Sequence, residues 1–163
     1  MVCWRGPYST TMNSMTIAGV SATRYRRVIT ASYKSNIELW AADTSDATGD
    51  IVCTFGQHSI TATIGVFHSD TSYTTNNYDT TNSSTTTVTT YVDAYDGGFI
   101  ISGAQWVSTG RTTTWTGVDE VYDVTGVDSF GMISDTTVET NRLVRSVISS
   151  SSTGLTILTV SIL

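Results

Sequence analysis

Apolar residues return at every second position in short segments spread along this chain, and that period belongs to a half-buried β-strand. Residues 60–66 alternate cleanly, with Ile60, Ala62, Ile64 and Val66 on one side and Thr61, Thr63 and Gly65 on the other. Residues 51–55 group Ile51, Cys53 and Phe55, and residues 86–92 set Val88 and Val92 opposite Thr87, Thr89 and Tyr91. Leu158, Val160 and Ile162 share a face of the closing segment 155–163, and 142–148 is a further strand. "GGFIISGAQWV", residues 97–107, is apolar nearly throughout, as a strand covered on both faces would be. "SSSSTG", residues 149–154, reads as a flexible hairpin-type loop between the last two strands.

Composition agrees with an all-β chain. Threonine makes up about a fifth of the 163 residues and serine roughly another eighth. Threonine is β-branched, which favours strands, and its hydroxyl keeps a sheet's outer face wet. One proline and the lack of long apolar helical stripes point the same way. The expected fold is an antiparallel β-sandwich, one domain over residues 1–163, long enough to bury a sizeable core.

The net charge of −6 argues against nucleic acid as a partner, because phosphate backbones need clustered cations and the chain has a single lysine, Lys34. Arg24, Arg26 and Arg27, with Tyr25 among them, read as a solvated strand entry or a contact with an acidic neighbour. No apolar run approaches the roughly 18 residues of a membrane span, so no membrane is expected. Cys3 and Cys53 read as buried free thiols; a bridge would need their strands to be neighbours. "MVCW" is already strand-like, so the sandwich is expected either to lack an earlier strand or to share one. The first strand then pairs with another subunit or lies at an interface.

Sugar cleavage, metal binding and nucleophilic catalysis each require a recognisable set of residues. "TTTWTGVDEVYDV", residues 112–124, sets a tryptophan beside Asp119, Glu120 and Asp123, as sugar-cleaving sites do. On a regular strand Asp119 and Asp123 share a face but stand about 13 Å apart, at about 3.3 Å per residue, too far to cooperate. The stretch reads instead as structure, with Thr112–Thr114 on a wet face, Trp115 anchored to the core and Gly117 turning the chain. Asp43, Asp46 and Asp50 in "DTSDATGD" are an oxygen-rich turn of the sort calcium favours, but Ala47 sits where an EF-hand ligand belongs. His58 and His68 flank one strand and lack a third ligand. No Gly-x-Ser-x-Gly elbow and no phosphate-cradling glycine loop is present. Nothing specifies an enzyme, a metal or a cofactor.

The long polar stretch 68–87, "HSDTSYTTNNYDTTNSSTTT", must in part be loop, and loops of this length are often contact features. Tyr73, Asn76, Asn77, Tyr78 and Asp79 are the candidate contact residues, to a partner surface or a sugar; the tyrosines could equally pack back onto the sheet.

The order of segments carries a resemblance. An Ala-Gly turn at Gly19 is followed by Gly49-Asp50-Ile51-Val52 leading to Phe55. Gly65-Val66 comes next, then Trp115-Thr116-Gly117 leading to Tyr122-Asp123. This series, over most of the chain, resembles jelly-roll-like β-sandwich virion proteins of tailed bacteriophages. It departs from them at the amino end, where one or two strands usually precede the "MVCW" position. The resemblance implies a jelly roll and a non-enzymatic decoration or cement protein on the outer surface of the capsid. Its partners would be the major capsid protein or other virion proteins, with self-association into a homo-oligomer. The alternative is a carbohydrate- or receptor-binding module of a tail or fibre. In that case Tyr73, Tyr78, Trp106 and Trp115 stack on a host glycan, and Asn76, Asn77 and Asp79 hydrogen-bond it.

Overall fold

The computed structural model describes residues 1–163 except 7–9, 31–34, 46–47, 57–60, 70–74, 84, 108–109, 125–126 and 151–153. At 30, 75–77, 81–83, 124 and 135 it describes the backbone alone. Among the described residues there is no helix. The strands, in chain order, are β1 (Val2–Arg5), β2 (Met12–Ile17), β3 (Val20–Ser21), β4 (Thr23–Thr30), β5 (Ser35–Ala41), β6 (Ile51–Phe55), β7 (Thr61–Ile64) and β8 (Thr75–Ser83). They continue with β9 (Thr87–Ala94), β10 (Gly98–Gln105), β11 (Thr113–Thr116), β12 (Asp119–Val124), β13 (Asp128–Thr136), β14 (Glu139–Ile148) and β15 (Leu155–Ile162).

Every pairing is antiparallel, and the strands form four sheets. Sheet I has the order β3-β2-β6, sheet II β4-β5-β1-β7, sheet III β12-β13-β10-β15-β8 and sheet IV β11-β14-β9. Side-chain alternation stacks them in that sequence, because successive residues of a strand point to opposite faces. On β1, Val2 and Trp4 join Met12 and Met15 of β2 between sheets I and II, while Cys3 joins Ile37, Phe130 and Leu158 between sheets II and III. On β15, Leu158, Val160 and Ile162 face sheet II, and Leu155 and Ile157 face sheet IV. Sheet III is therefore covered on both sides, which is why 97–107 and 155–163 carry apolar residues at both parities.

The antiparallel β-sandwich read from the sequence forms, with more layers than two; this strand order does not establish its jelly-roll form. Strand β6 spans residues 51–55 as read, turning Ile51, Cys53 and Phe55 toward sheet II and leaving Val52 and Thr54 outside. A two-residue turn at Ala18 and Gly19 joins β2 to β3, both residues at positive φ, as a hairpin of this twist requires.

Two expectations are corrected. β1 is not an edge seeking a partner subunit: β5 lies on one side of it and β7 on the other. β14 and β15 do not form a hairpin, because β14 belongs to sheet IV and β15 to sheet III. Within the polar stretch 68–87, read as in part loop, β8 covers 75–83. Its backbone completes the ladder of β15, and that pairing outweighs the poor strand propensity of its Asn and Asp residues.

Candidate functional site

The polar residues that organise the interior are ones the sequence reading passed over. Glu38 on β5 is fully buried, between sheets I and II. Its Oε1 accepts from the Trp4 indole at 3.1 Å and its Oε2 from the Trp40 indole at 2.8 Å. Arg27 lies 3.2 Å from Oε1 and Arg24 3.6 Å from Oε2, and these guanidiniums also lie over the Trp4 and Trp40 rings respectively. A buried carboxylate survives only when its partners are this complete. The arginine cluster thus has its acidic neighbour, and the lone glutamate inside the apolar run "IELW" was the available signal.

Between sheets II and III, Asp128 accepts from Thr63 Oγ1 at 2.6 Å and from Gln105 Nε2 at 2.8 Å, while Gln105 Oε1 accepts from the Asn36 backbone N–H. Burial raises the Asp128 carboxyl above its ordinary value, against the lowering effect of these two hydrogen bonds. Between sheets III and IV the polar contacts are neutral: Thr159 Oγ1 lies 2.7 Å from Thr90 Oγ1 and 2.8 Å from Ser102 Oγ. The Glu38 network ties β4, β5 and β1 together within sheet II; the other two bind one layer to the next.

Of the proposed contact residues, the structure describes the side chains of Tyr78 and Asp79. Tyr73 lies outside the described residues. Asn76 and Asn77 belong to β8, and their side chains lie outside the description. Tyr78, half-exposed, lies under the Arg26 guanidinium at 4.2 Å. Asp79 is committed to the backbone, its Oδ1 accepting from the Thr80 N–H at 2.7 Å and its Oδ2 from the Tyr91 N–H at 2.9 Å, which ties β8 to β9. Trp106 is fully buried and Trp115 packs on the same core, its indole donating to Ser129 Oγ at 2.8 Å. Trp106 offers no face to a sugar, and Trp115 is partly buried.

Around Trp115 the structural reading holds in part. Thr112 and Thr114 face out, but Thr113 is buried. Gly117 turns the chain at φ +88°, where a methyl group would run into the Leu143 carbonyl. A bulge between Glu120 and Tyr122 breaks the regular alternation of β12. Desolvation first, and the Asp123 charge second, raise the Glu120 carboxyl. Asp123 Oδ2 accepts from the Thr113 N–H at 3.1 Å.

Among the described residues no three His, Cys, Asp or Glu side chains are grouped to hold a metal; Asp46 and His58 lie outside them. Cys3 and Cys53 are free thiols on opposite sides of sheet II, so the fold keeps them apart, and burial raises both above their ordinary values. Asp43 and His68 border an apolar recess of about 590 Å³ walled by Met15, Leu39, Phe99 and Ile162.

The exposed feature with the most physical content is an edge. β7 ends sheet II and β12 ends sheet III, and a shallow recess of about 520 Å³ opens between them over Phe130. Thr63 of β7 points inward, to Asp128, and Gly65, just past the strand, packs its backbone close to the Phe130 ring. Ala62, Ile64 and Val66, from the cleanest apolar alternation in the sequence, therefore point outward, and sheet I leaves them uncovered. Ile64 is 37% exposed and Val66 68%; on β12, Val121 is 59% and Tyr122 52% exposed. Scattered apolar residues are ordinary; these four gather around one recess on two open strand edges. Comparison of the chain with protein-family models, with curated proteins and with solved structures finds no significant match.

Proposed function

We propose that the chain is a non-enzymatic structural component of a tailed-phage virion, a decoration or cement protein on the exterior of the capsid. The observation that carries the reading is the apolar face of β7 turned to solvent beside the open edge of β12. A protein that reinforces a shell works by burying apolar surface at subunit junctions, and a stable junction of this kind takes about 1,200–2,000 Å² in total. Ile64, Val66, Val121 and Tyr122 supply the apolar centre of such a patch, and the uncharged sequence of β7 leaves its backbone free to pair. The ordered series of motifs from Gly19 to Asp123 supplies the virion setting. The major capsid protein or another virion protein is the partner.

Imaging of particles that carry this chain is the test. Copies distributed over the head, together with heat-induced loss of contents from particles lacking the chain, are the expected result. A few copies at a tail tip, with glycan binding lost in Tyr78→Ala, would overturn the reading in favour of an adhesin.

A further inference from the structure

We propose that copies of this chain associate head to tail, the β4 edge of one docking against the β7–β12 edge of the next. The inference rests on the reading of the β7–β12 edge as an interface and names the occupant: a second copy of the chain.

Strand direction permits it. Sheet II has four strands, each antiparallel to its neighbour, so its edges β4 and β7 run in opposite directions. A copy displaced sideways without rotation presents its β7 antiparallel to the β4 of the first, and the sheet continues across the junction. Sheet III, with five strands, has edges running the same way, so sheet II carries the pairing. The backbone groups are available. The Gly65 N–H donates to the Met1 carbonyl at 2.9 Å, so by alternation Thr63 also faces β1, while Ala62 and Ile64 turn their N–H and C=O groups to the open side.

Charge selects this pairing over others. In a chain of net charge −6, two copies repel at most orientations. β4 is the exception: Arg24, Arg26 and Arg27 stand there against one carboxylate, Glu38, leaving two positive charges in excess. Asp79 on neighbouring β8 points away, to the Tyr91 amide. The opposite edge carries Asp119, Glu120 and Asp123 on β12, and among the described residues none of the three forms an ion pair. Apolar residues accompany both signs: Ile29 and Tyr78 on the basic side, Ile64, Val66, Val121 and Tyr122 on the acidic side. Opposite charges then steer the two edges together, and the apolar residues close the contact. The contact is heterologous, so it extends into rings or rows rather than stopping at a dimer.

Sedimentation of the purified chain, with concentration and salt varied, tests this. Species beyond a dimer should grow with concentration at low salt and recede as salt shortens the screening length from about 10 Å at 0.1 M to about 3 Å at 1 M. The double substitution Asp119→Lys with Glu120→Lys alters two exposed side chains and should abolish all species above monomer. Added to the unaltered chain, this variant keeps its β4 edge and should cap growing rows, shortening them at substoichiometric ratios. Ala62→Pro removes an outward N–H that no internal bond uses and should give the same loss, with circular dichroism unchanged. A monomer at every concentration and salt, or a dimer unmoved by the lysine pair, overturns the inference. If the chain stays monomeric yet decorates particles, only this inference fails; if it forms rows but is absent from particles, only the virion reading fails.

Discussion

β9 and β7 are written in the same period-two alphabet and meet opposite fates. Val88 and Val92 of β9 are buried against Ile100 and Val144, whereas Ile64 and Val66, aligned along and just beyond β7, stay open to solvent. The difference lies in the neighbouring layer. Sheet III backs the whole of β9, while sheet I covers β1 and β5 and leaves β7 bare. Alternation fixes which residues share a face; whether that face is covered is a property of the stack. An apolar face left bare on an open edge is what a contact surface requires.

Substitutions can break or sharpen this contrast between covered and bare faces. The largest effect belongs to the covered interior: Glu38→Ala strands two guanidiniums and two indole N–H groups and should cost about 3–5 kcal/mol in urea denaturation. Trp115→Ala, removing a half-buried ring and its bond to Ser129, should cost about 2–3 kcal/mol, below the range for a fully buried tryptophan. Asp128→Asn probes the middle of the stack through pH. Its carboxyl is raised in the fold, so between the ordinary aspartate value and the raised one the folded state binds more protons than the unfolded state. Stability from this group is present at low pH and declines as pH rises through that window. The difference in stability between the unaltered chain and Asp128→Asn should change across the same window and be level on either side of it; a difference independent of pH would contradict the assignment. The smallest effect belongs to the bare face: Ile64→Thr with Val66→Thr should shift stability by less than about 0.5 kcal/mol, as exposed positions do, while weakening association.

Much of the fold was legible because it is local. The strand 51–55, the inward valines of β9 and the doubly covered "GGFIISGAQWV" each follow from periodicity within a few residues. What was not legible depends on which layers meet. Nothing near β8 announces that "TNNYDTTNS" completes the ladder of β15, and nothing near Glu38 announces that Arg24 and Arg27 arrive from another strand. The same limit applied to the candidate site. Trp106 reads as a stacking platform for a sugar, and only the packing of sheet IV on sheet III buries it. Asp79 reads as a sugar ligand until the β8–β9 corner brings the Tyr91 amide to it. The bare face of β7 was read as a strand face, correctly, with no local sign that it would lack a cover.

Hydroxyl-radical footprinting, residue by residue, tests the bare face most directly. The free chain and the chain in its associated or particle-bound state are compared. Ile64, Val66, Val121 and Tyr122 should oxidise readily in the free chain and lose most of that reactivity on assembly, while Val88 and Val92 stay protected in both. Equal reactivity of the four residues in the two states would contradict the account.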